Sequence, residues 1–411
     1  MILKIQKFSF STVLVLFPIL YFNSCTFEFI KPYSFTLPLV GVFLLAWLLV
    51  LAKEINVKVI LPMAVYAFCL LVLWLVGAQL HRSVLLSDIS NALYMLIFMC
   101  VFTIYSGEQY KNDRALIVFV WFVDTIIACV YSVYRLINEP LLARQLSTGS
   151  YHNTDAAVAA KGVVSYGVIY GLVLVILALF YLVLQSKNKR FVNICLISMF
   201  FVLLIMAQFV IALGLVAIGM LWMVLLKKPK NEQDKWYRAI FLIVFGPVFI
   251  ISLPYLLKIL VDSEILGYEI NARMQEIVAF LEGGDFSGVD TAARLSQYAR
   301  SITAFFASFC LGKMVVPSVE VGTHSEWLDG FGNYGIMFLL YLVAIWGFCR
   351  FVLEKLPNKK SKQLYSMLFV IYAIMSVINT SAWAPITLSL CVIVPFICVD
   401  KVGGHKERRL L

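Results

Sequence analysis

The feature that most constrains this chain is a succession of apolar stretches, most of them close to the length that crosses a lipid bilayer. A crossing needs about 20 apolar residues, and in lipid the backbone must satisfy its hydrogen bonds within its own helix. The chain is therefore predicted to be an all-α polytopic membrane protein, a single integral membrane domain over 1–411. The stretches cover about 8–21, 35–52, 59–78, 89–106, 114–137, 162–184, 191–226, 239–261, 333–353, 364–380 and 384–399.

Composition excludes the soluble classes. Hydrophobic residues make up 62% of the chain and charged residues 14%, whereas soluble domains are about half apolar and a quarter charged. The net charge of +10 comes from short basic clusters between apolar stretches, so it reports topology and predicts no nucleic-acid partner. The nine cysteines show no metal-ligand spacing, and neither a metal site nor a cofactor is predicted.

The run at 191–226 is too long for one ordinary crossing, and basic residues stand at both of its ends, at 187–190 and 227–230. Because basic residues collect on the cytoplasmic side, both ends should lie on that side. One helix cannot satisfy this condition, whereas two short helices that turn near Gln208 can. With this hairpin the chain has about twelve membrane-spanning helices.

Placing the N-terminus in the cytoplasm puts every tight basic cluster on the cytoplasmic side, so both termini are predicted to be cytoplasmic. The first stretch follows Lys4 and Lys7 without a small-residue cleavage site and is interpreted as an uncleaved helix. The segments 138–161 and 262–332 are then external, and the second is too long for a connector. Within it, 271–282 and 291–309 have helical spacing, and Asp290 can cap the second helix. Such a loop is typical of a lid or a substrate platform.

Polar residues concentrate between 294 and 335, directly before an apolar span. Thr323 and Glu326 have the spacing of a capping box, which places His324 in a first helical turn. There the helix dipole disfavours the imidazolium form, so a neutral His324 could accept a proton. The alternative is that His324 and Glu326 only cap a helix at the membrane interface.

Arg294 and Arg300 lie on the second predicted loop helix, and an arginine fork matches phosphate oxygens. They stand six residues apart in the sequence and point in different directions on an ideal helix, so a clamp that uses both would need a bend. The alternative is that they anchor the loop to anionic headgroups. Asp329 is a candidate second base.

Other polar residues are weaker candidates. Arg82, Arg144 and His152 lie in outer loops and could contact an anionic or sugar substrate. Asp124 lies inside the fifth apolar stretch, where an ionisable residue is by default a functional hint. The glycines of 330–335 are interpreted as packing positions.

The pattern in 294–336 resembles bacterial O-antigen and capsule polymerases of the Wzy type and, more distantly, O-antigen ligases. The features are an arginine, an aromatic residue four positions on, an apolar helix, a glycine, His-Ser, Leu-Asp and Tyr-Gly-Ile. The matching residues are Arg294, Tyr298, Gly312, His324, Ser325, Leu328, Asp329, Tyr334, Gly335 and Ile336. The chain departs from the family in two places. The family often has an Asn-Pro before the loop glycine, and 308–312 lacks it. Many members also have a Ser-Arg at the outer turn between two middle helices, and 208–210 lacks that arginine, so Arg82 or Arg144 would have to take its place.

The resemblance implies a GT-C-like architecture in the bacterial inner membrane and a metal-independent glycosyl transfer at its periplasmic face. The growing glycan would move from polyprenyl diphosphate to a hydroxyl of a lipid-linked repeat unit. His324 and Arg294 are the expected catalytic residues, and the implied substrate contacts are Arg300, Glu326, Asp329, Tyr298, Arg82 and Arg144. The expected partners are the polyprenyl-diphosphate-linked oligosaccharide, membrane lipid and a chain-length regulator protein.

Two alternatives remain open from the sequence. A ligase would transfer finished glycan to a lipid A core or a protein. A flippase or transporter would explain many spans without loop chemistry, but it predicts intramembrane charges around a cavity and repeat symmetry, and the sequence shows no repeat.

Overall fold

The computed structural model describes residues 9–23, 36–79, 86–139, 162–185, 190–226, 290–314 and 318–402, with isolated positions at 142, 258, 271, 274, 275 and 278. The predicted span at 239–261, apart from the helical position 258, and the candidates Arg82, Arg144 and His152 lie outside the described residues. So does most of the predicted helix 271–282, although 271, 274, 275 and 278 are helical.

The described ranges are helical and contain no strand. We label the helices α1 (Phe10–Asn23), α2 (Thr36–Leu51), α3 (Val57–Gln79), α4 (Leu86–Tyr105), α5 (Lys111–Asn138), α6 (Tyr166–Gln185), α7 (Arg190–Met206), α8 (Val210–Leu226), α9 (Asp290–Ala307), α10 (Glu326–Tyr334), α11 (Phe338–Lys355), α12 (Lys359–Ile378), α13 (Ala384–Leu388) and α14 (Val394–Val402). A π-helical turn, Ser389–Ile393, joins α13 to α14.

Within the described ranges, six helical segments are long and apolar enough to cross a membrane. They are Val57–Gly77, Leu86–Tyr105, Glu108–Asn138, Tyr166–Gln185, Glu326–Lys355 and Lys359–Ile378, and the shorter apolar helices are Phe10–Asn23, Arg190–Met206, Val210–Val224 and Ala384–Val399. In their most apolar windows α6 is 83% buried and α3 only 22%. Helix α6 therefore lies at the centre of the bundle, and α3 at its periphery. The prediction of a helical membrane protein is confirmed.

The predicted hairpin within 191–226 is present. Helix α7 ends at Met206, α8 begins at Val210, and the buried Gln208 between them has φ 59°. Phe209 in this turn packs its ring on Tyr166 and Tyr170 at the start of α6, with centroids 5.7 and 6.1 Å apart. The turn is therefore fixed against the central helix.

Buried polar residues tie α1 to its neighbours. Asn23 donates a hydrogen bond to the Asp124 carboxylate of α5 over 2.8 Å, and Thr12 donates to Asp113 over 2.5 Å. Bonds of this kind join helices where lipid offers no competing water. The sequence suggested Asp124 as a functional residue, and the structure shows that it has a hydrogen-bond partner on α1.

Glycines set the junction of α9, α10 and α11. Gly312 and Gly335 have φ of 56° and 58°, a region that favours glycine. Helix α10 ends at Tyr334, so the helix that begins near His324 does not run without interruption into the span. The amide of Ile336 instead donates to the carbonyl of Phe309 over 2.8 Å. These contacts confirm the packing interpretation of Gly335.

We expect Gly335→Ala to destabilise the protein. A Cβ at 335 would lie 2.5 Å from the Phe309 carbonyl oxygen, and the left-handed φ alone costs about 1–2 kcal/mol. Thermal unfolding in detergent should show a clear fall in midpoint. The matched control is Gly347→Ala in α11, where no atom lies within 4 Å of the added methyl group. An equal midpoint for the two variants would contradict this account of the junction.

Candidate functional site

The candidate site is built where α10 begins beside a break between α12 and α13, residues 379–383. The amide of Glu326 donates to the Asn379 carbonyl over 3.2 Å, and the Ala382 amide donates to Oε2 of Glu326 over 3.3 Å. Ser325 Oγ reaches the Ser376 carbonyl at 3.4 Å. The broken segment and the start of α10 therefore satisfy each other's backbone groups.

The N-cap of α10 is Ser325, and the predicted capping box from Thr323 to Glu326 is wrong. Ser325 Oγ accepts from the Leu328 amide over 3.1 Å, and Asp329 Oδ2 accepts from the Ser325 amide over 2.9 Å. His324 consequently precedes the helix and is not in its first turn. The register shifts by two residues because Ser325 can also reach Ser376, a contact that the local sequence does not reveal.

The structure brings Arg294, Tyr298 and His324 together. Arg294 lies close enough to act electrostatically on both other side chains, and the Tyr298 hydroxyl donates to the Ile378 carbonyl over 2.7 Å. Helix α9 carries the arginine and the tyrosine, while the turn before α10 carries the histidine. Two elements separated in sequence thus meet at the broken segment.

The pKa of His324 is lowered, first by partial burial and then by the positive charge of Arg294. Burial raises the pKa of Tyr298, and Arg294 partly opposes that rise. The imidazole is therefore kept neutral and able to accept a proton. The sequence prediction of a neutral histidine named the helix dipole as its cause, whereas the structure gives burial and Arg294.

Arg300 faces elsewhere. Its Nη1 pairs with Oε2 of Glu320 over 3.1 Å, and the two side chains are 55% and 78% exposed. Arg294 and Arg300 therefore do not form one clamp on α9. Exposed ion pairs of this kind contribute little to stability.

A cavity of about 230 Å³ adjoins this group, between α3, α4, α10, α11 and the segment 379–383. Three carboxylates line it, those of Asp88, Glu326 and Asp329, and no lysine, arginine or histidine is among its described lining residues. Asp88 accepts a short hydrogen bond from the Tyr334 hydroxyl. In the described part of the chain no group of three or more His, Cys, Asp or Glu has a metal-binding arrangement.

Asp329 mainly positions α9 against α10. Its Oδ1 accepts from Ser301 Oγ of α9 over 2.5 Å, and its Oδ2 accepts from the Ser325 amide. Ser301 is fully buried and also accepts from the Gly322 amide over 2.9 Å. With both oxygens engaged, Asp329 fixes α9 against α10.

The sequence interpretation missed Asp88, Tyr66 and Trp383. Asp88 and Tyr66 lie on α4 and α3, more than two hundred residues before Glu326, and no local pattern joins them to it. The available signal for Trp383 was the polar run at 379–381, between two apolar stretches. An unwound polar segment in a membrane bundle is tolerated where it lines a cavity.

Comparison with protein-family models finds no match, and comparison with curated proteins finds no significant match. Interpretation of the site therefore depends on its own geometry.

We expect Arg294→Gln to raise the pKa of His324. The loss of the neighbouring positive charge makes the imidazolium form less unfavourable, so protonation occurs at higher pH. The pH dependence of His324 modification by diethyl pyrocarbonate, followed by peptide mass spectrometry, measures this shift. Arg300→Gln is the control, because its guanidinium pairs with Glu320, and it should leave the profile unchanged. Identical profiles in wild type and Arg294→Gln would show that the two side chains are not coupled.

Proposed function

We propose that the protein is a polysaccharide polymerase of the Wzy type. It would transfer a growing glycan from polyprenyl diphosphate to a lipid-linked repeat unit in O-antigen or capsule synthesis. The observation that carries the proposal is the juxtaposition of Arg294 with a neutral His324, beside a polar cavity at one end of an apolar helix bundle. A guanidinium suits the charge that develops on a diphosphate leaving group, and a neutral imidazole suits a base for the acceptor hydroxyl.

In the proposed reaction, the acceptor hydroxyl oxygen forms a bond to the anomeric carbon of the donor glycan. The bond from that carbon to the diphosphate oxygen breaks, and the electron pair leaves with the diphosphate. His324 accepts the hydroxyl proton, and Arg294 stabilises the charge that develops on the leaving group. Tyr298 positions Arg294 from one turn further along α9.

The lipid carrier requires an approach from the bilayer. Helix α9 exposes a series of large apolar side chains, Leu295, Ile302 and Phe306, which are 59%, 45% and 75% exposed. An amphipathic helix with such a face lies at a membrane surface. We propose that α9 borders the path by which the polyprenyl chain enters.

The proposal includes the finer topology. The protein would cross the bacterial inner membrane about twelve times, with both termini in the cytoplasm and the loop 262–332 in the periplasm. In support, the starts of α4, α6, α10 and α13, all assigned to the outer side, meet around the candidate site.

Gene loss should leave single repeat units in place of long chains, and wild-type protein should restore them. Arg294→Ala should reduce polymer by about 100-fold or more, the usual cost of removing one group that stabilises transition-state charge. Arg294→Lys keeps the charge but loses the planar fork, so it should restore only part of the activity. Gel analysis of glycan length measures all three.

The matched control is Arg350→Ala, which removes an exposed arginine that pairs with Glu354 on α11. It should leave chain length unchanged. Normal chains with Arg294→Ala would refute the role of Arg294. Long polymer retained on the carrier after gene loss would identify a ligase, and loss of lipid-linked units from the outer leaflet would identify a flippase.

A further inference from the structure

We propose that the cavity between α3, α4, α10 and α11 is a subsite for one sugar residue without an acidic group, either a neutral sugar or an amino sugar. This inference deepens the proposed function and depends on it for the identity of the glycan. The cavity of about 230 Å³ is small, and its size suits a single sugar ring. It lies next to the Arg294 and His324 pair, because Thr323 and Ser325, the two neighbours of His324, line it.

The carboxylates of Asp88, Glu326 and Asp329 give the cavity its chemical preference. A carboxyl group accepts hydrogen bonds and in its protonated form also donates one, so these side chains suit a ligand rich in hydroxyl groups or one that carries an ammonium group. No cationic side chain of the described chain lines the cavity to balance an anionic ligand. A uronic acid would bring a negative charge into a poorly solvated site with no cation of the described chain to balance it, and burying an unpaired charge is costly.

Tyr66 supplies an independent sign of a ligand. Its side chain on α3 is only 3% exposed and lines the cavity, and no residue in the described ranges forms a hydrogen bond with its hydroxyl. The neighbouring tyrosines differ, because Tyr334 donates to Asp88 and Tyr341 contacts the hydroxyl of Tyr372. The Tyr66 hydroxyl is not one of the closed-off, unpartnered atoms of the described chain, so it opens on the cavity, where a sugar hydroxyl would supply its partner.

Trp383 supplies an apolar surface at the same cavity. Its side chain is 46% exposed, although the segment around it is buried, and its ring lies 6.0 Å from that of Tyr166. The C–H face of a sugar packs on an aromatic ring while its hydroxyls remain free for hydrogen bonds. The cavity lining therefore combines carboxyl groups with an open indole, and a sugar has a surface for each.

The same side chains assign the two halves of the substrate. The diphosphate belongs beside Arg294, because the described lining of the cavity has no cation, and the sugar belongs among the carboxyl groups. This division would make the cavity a determinant of specificity for the residue next to the reacting bond.

Binding of simple methyl glycosides to the purified full-length protein in nanodiscs tests the inference by saturation-transfer NMR. The probes are methyl glucoside, methyl glucosaminide and methyl glucuronide at equal concentration. We expect signals from the first two and a signal at least several-fold weaker from the glucuronide. Trp383→Ala should weaken binding of the glucoside and the glucosaminide, because it removes the open indole, and Tyr66→Phe should weaken glucoside binding by roughly 2- to 10-fold, the range for one hydrogen bond.

Trp346→Ala, which removes an exposed tryptophan of α11 outside the cavity lining, is the matched control and should behave as wild type. Tyr66→Phe keeps the test valid if Trp383→Ala does not fold. Equal binding of the three glycosides, preference for the glucuronide, or no binding at all would overturn the inference. Because the measurement needs no transfer reaction, selective binding without polymerase activity would refute the proposed function and leave the sugar subsite standing.

Discussion

The site depends on the break between α12 and α13. Unwound backbone inside an apolar bundle is stable only where protein groups satisfy it. Here the carbonyl of Asn379 and the amide of Ala382 bind the amide and the carboxylate of Glu326, and Ser376 and Ser381 share a hydroxyl contact of 2.5 Å. Asn379 also donates to the Tyr170 hydroxyl of the central helix over 3.0 Å. The break thus joins α6, α10 and α12, and the polar side chains of the site gather around it.

Two kinds of polar group meet in a small volume of this site. Arg294 and the neutral His324 lie together, and the carboxyl groups of Asp88, Glu326 and Asp329 line the adjoining cavity. Asp329 links the two groups, because its contacts with Ser301 and Ser325 hold α9, which carries Arg294, to α10. A substrate that carries an anionic diphosphate on a hydroxylated glycan has the same division. The match between these two arrangements is the strongest physical reason to connect the site with a lipid-linked sugar.

Much of the helical framework follows from the sequence, because apolar length and the clusters of basic residues act locally. The hairpin at Gln208 is an example, since the lysines at both ends of 191–226 admit no single helix. The cap of α10 shows where local rules fail. Thr323 and Ser325 are both of a residue type that caps helices, and Ser325 is the cap because it also contacts Ser376 and Asp329.

The proximity of Arg294 to His324 and the acidic cavity could not be derived from the sequence. Both arise from contacts between residues far apart in the chain, such as Tyr334 with Asp88. The sequence predicted the chemical types of the groups on the loop side of the site. It did not indicate the cavity residues on α3 and α4. In the sequence, Tyr66 looks like an ordinary residue of an apolar helix, and Asp88 looks like an ordinary residue at a helix start.

Direct synthesis tests the central claim. Lipid-linked repeat units isolated from a strain that lacks the gene are incubated with the purified protein in nanodiscs and a metal chelator, and mass spectrometry follows the products. Wild type should form glycans of two or more repeat units and release polyprenyl diphosphate, and Arg294→Ala should form almost none. Units that remain single with wild-type protein, or equal products from the two proteins, would contradict the account.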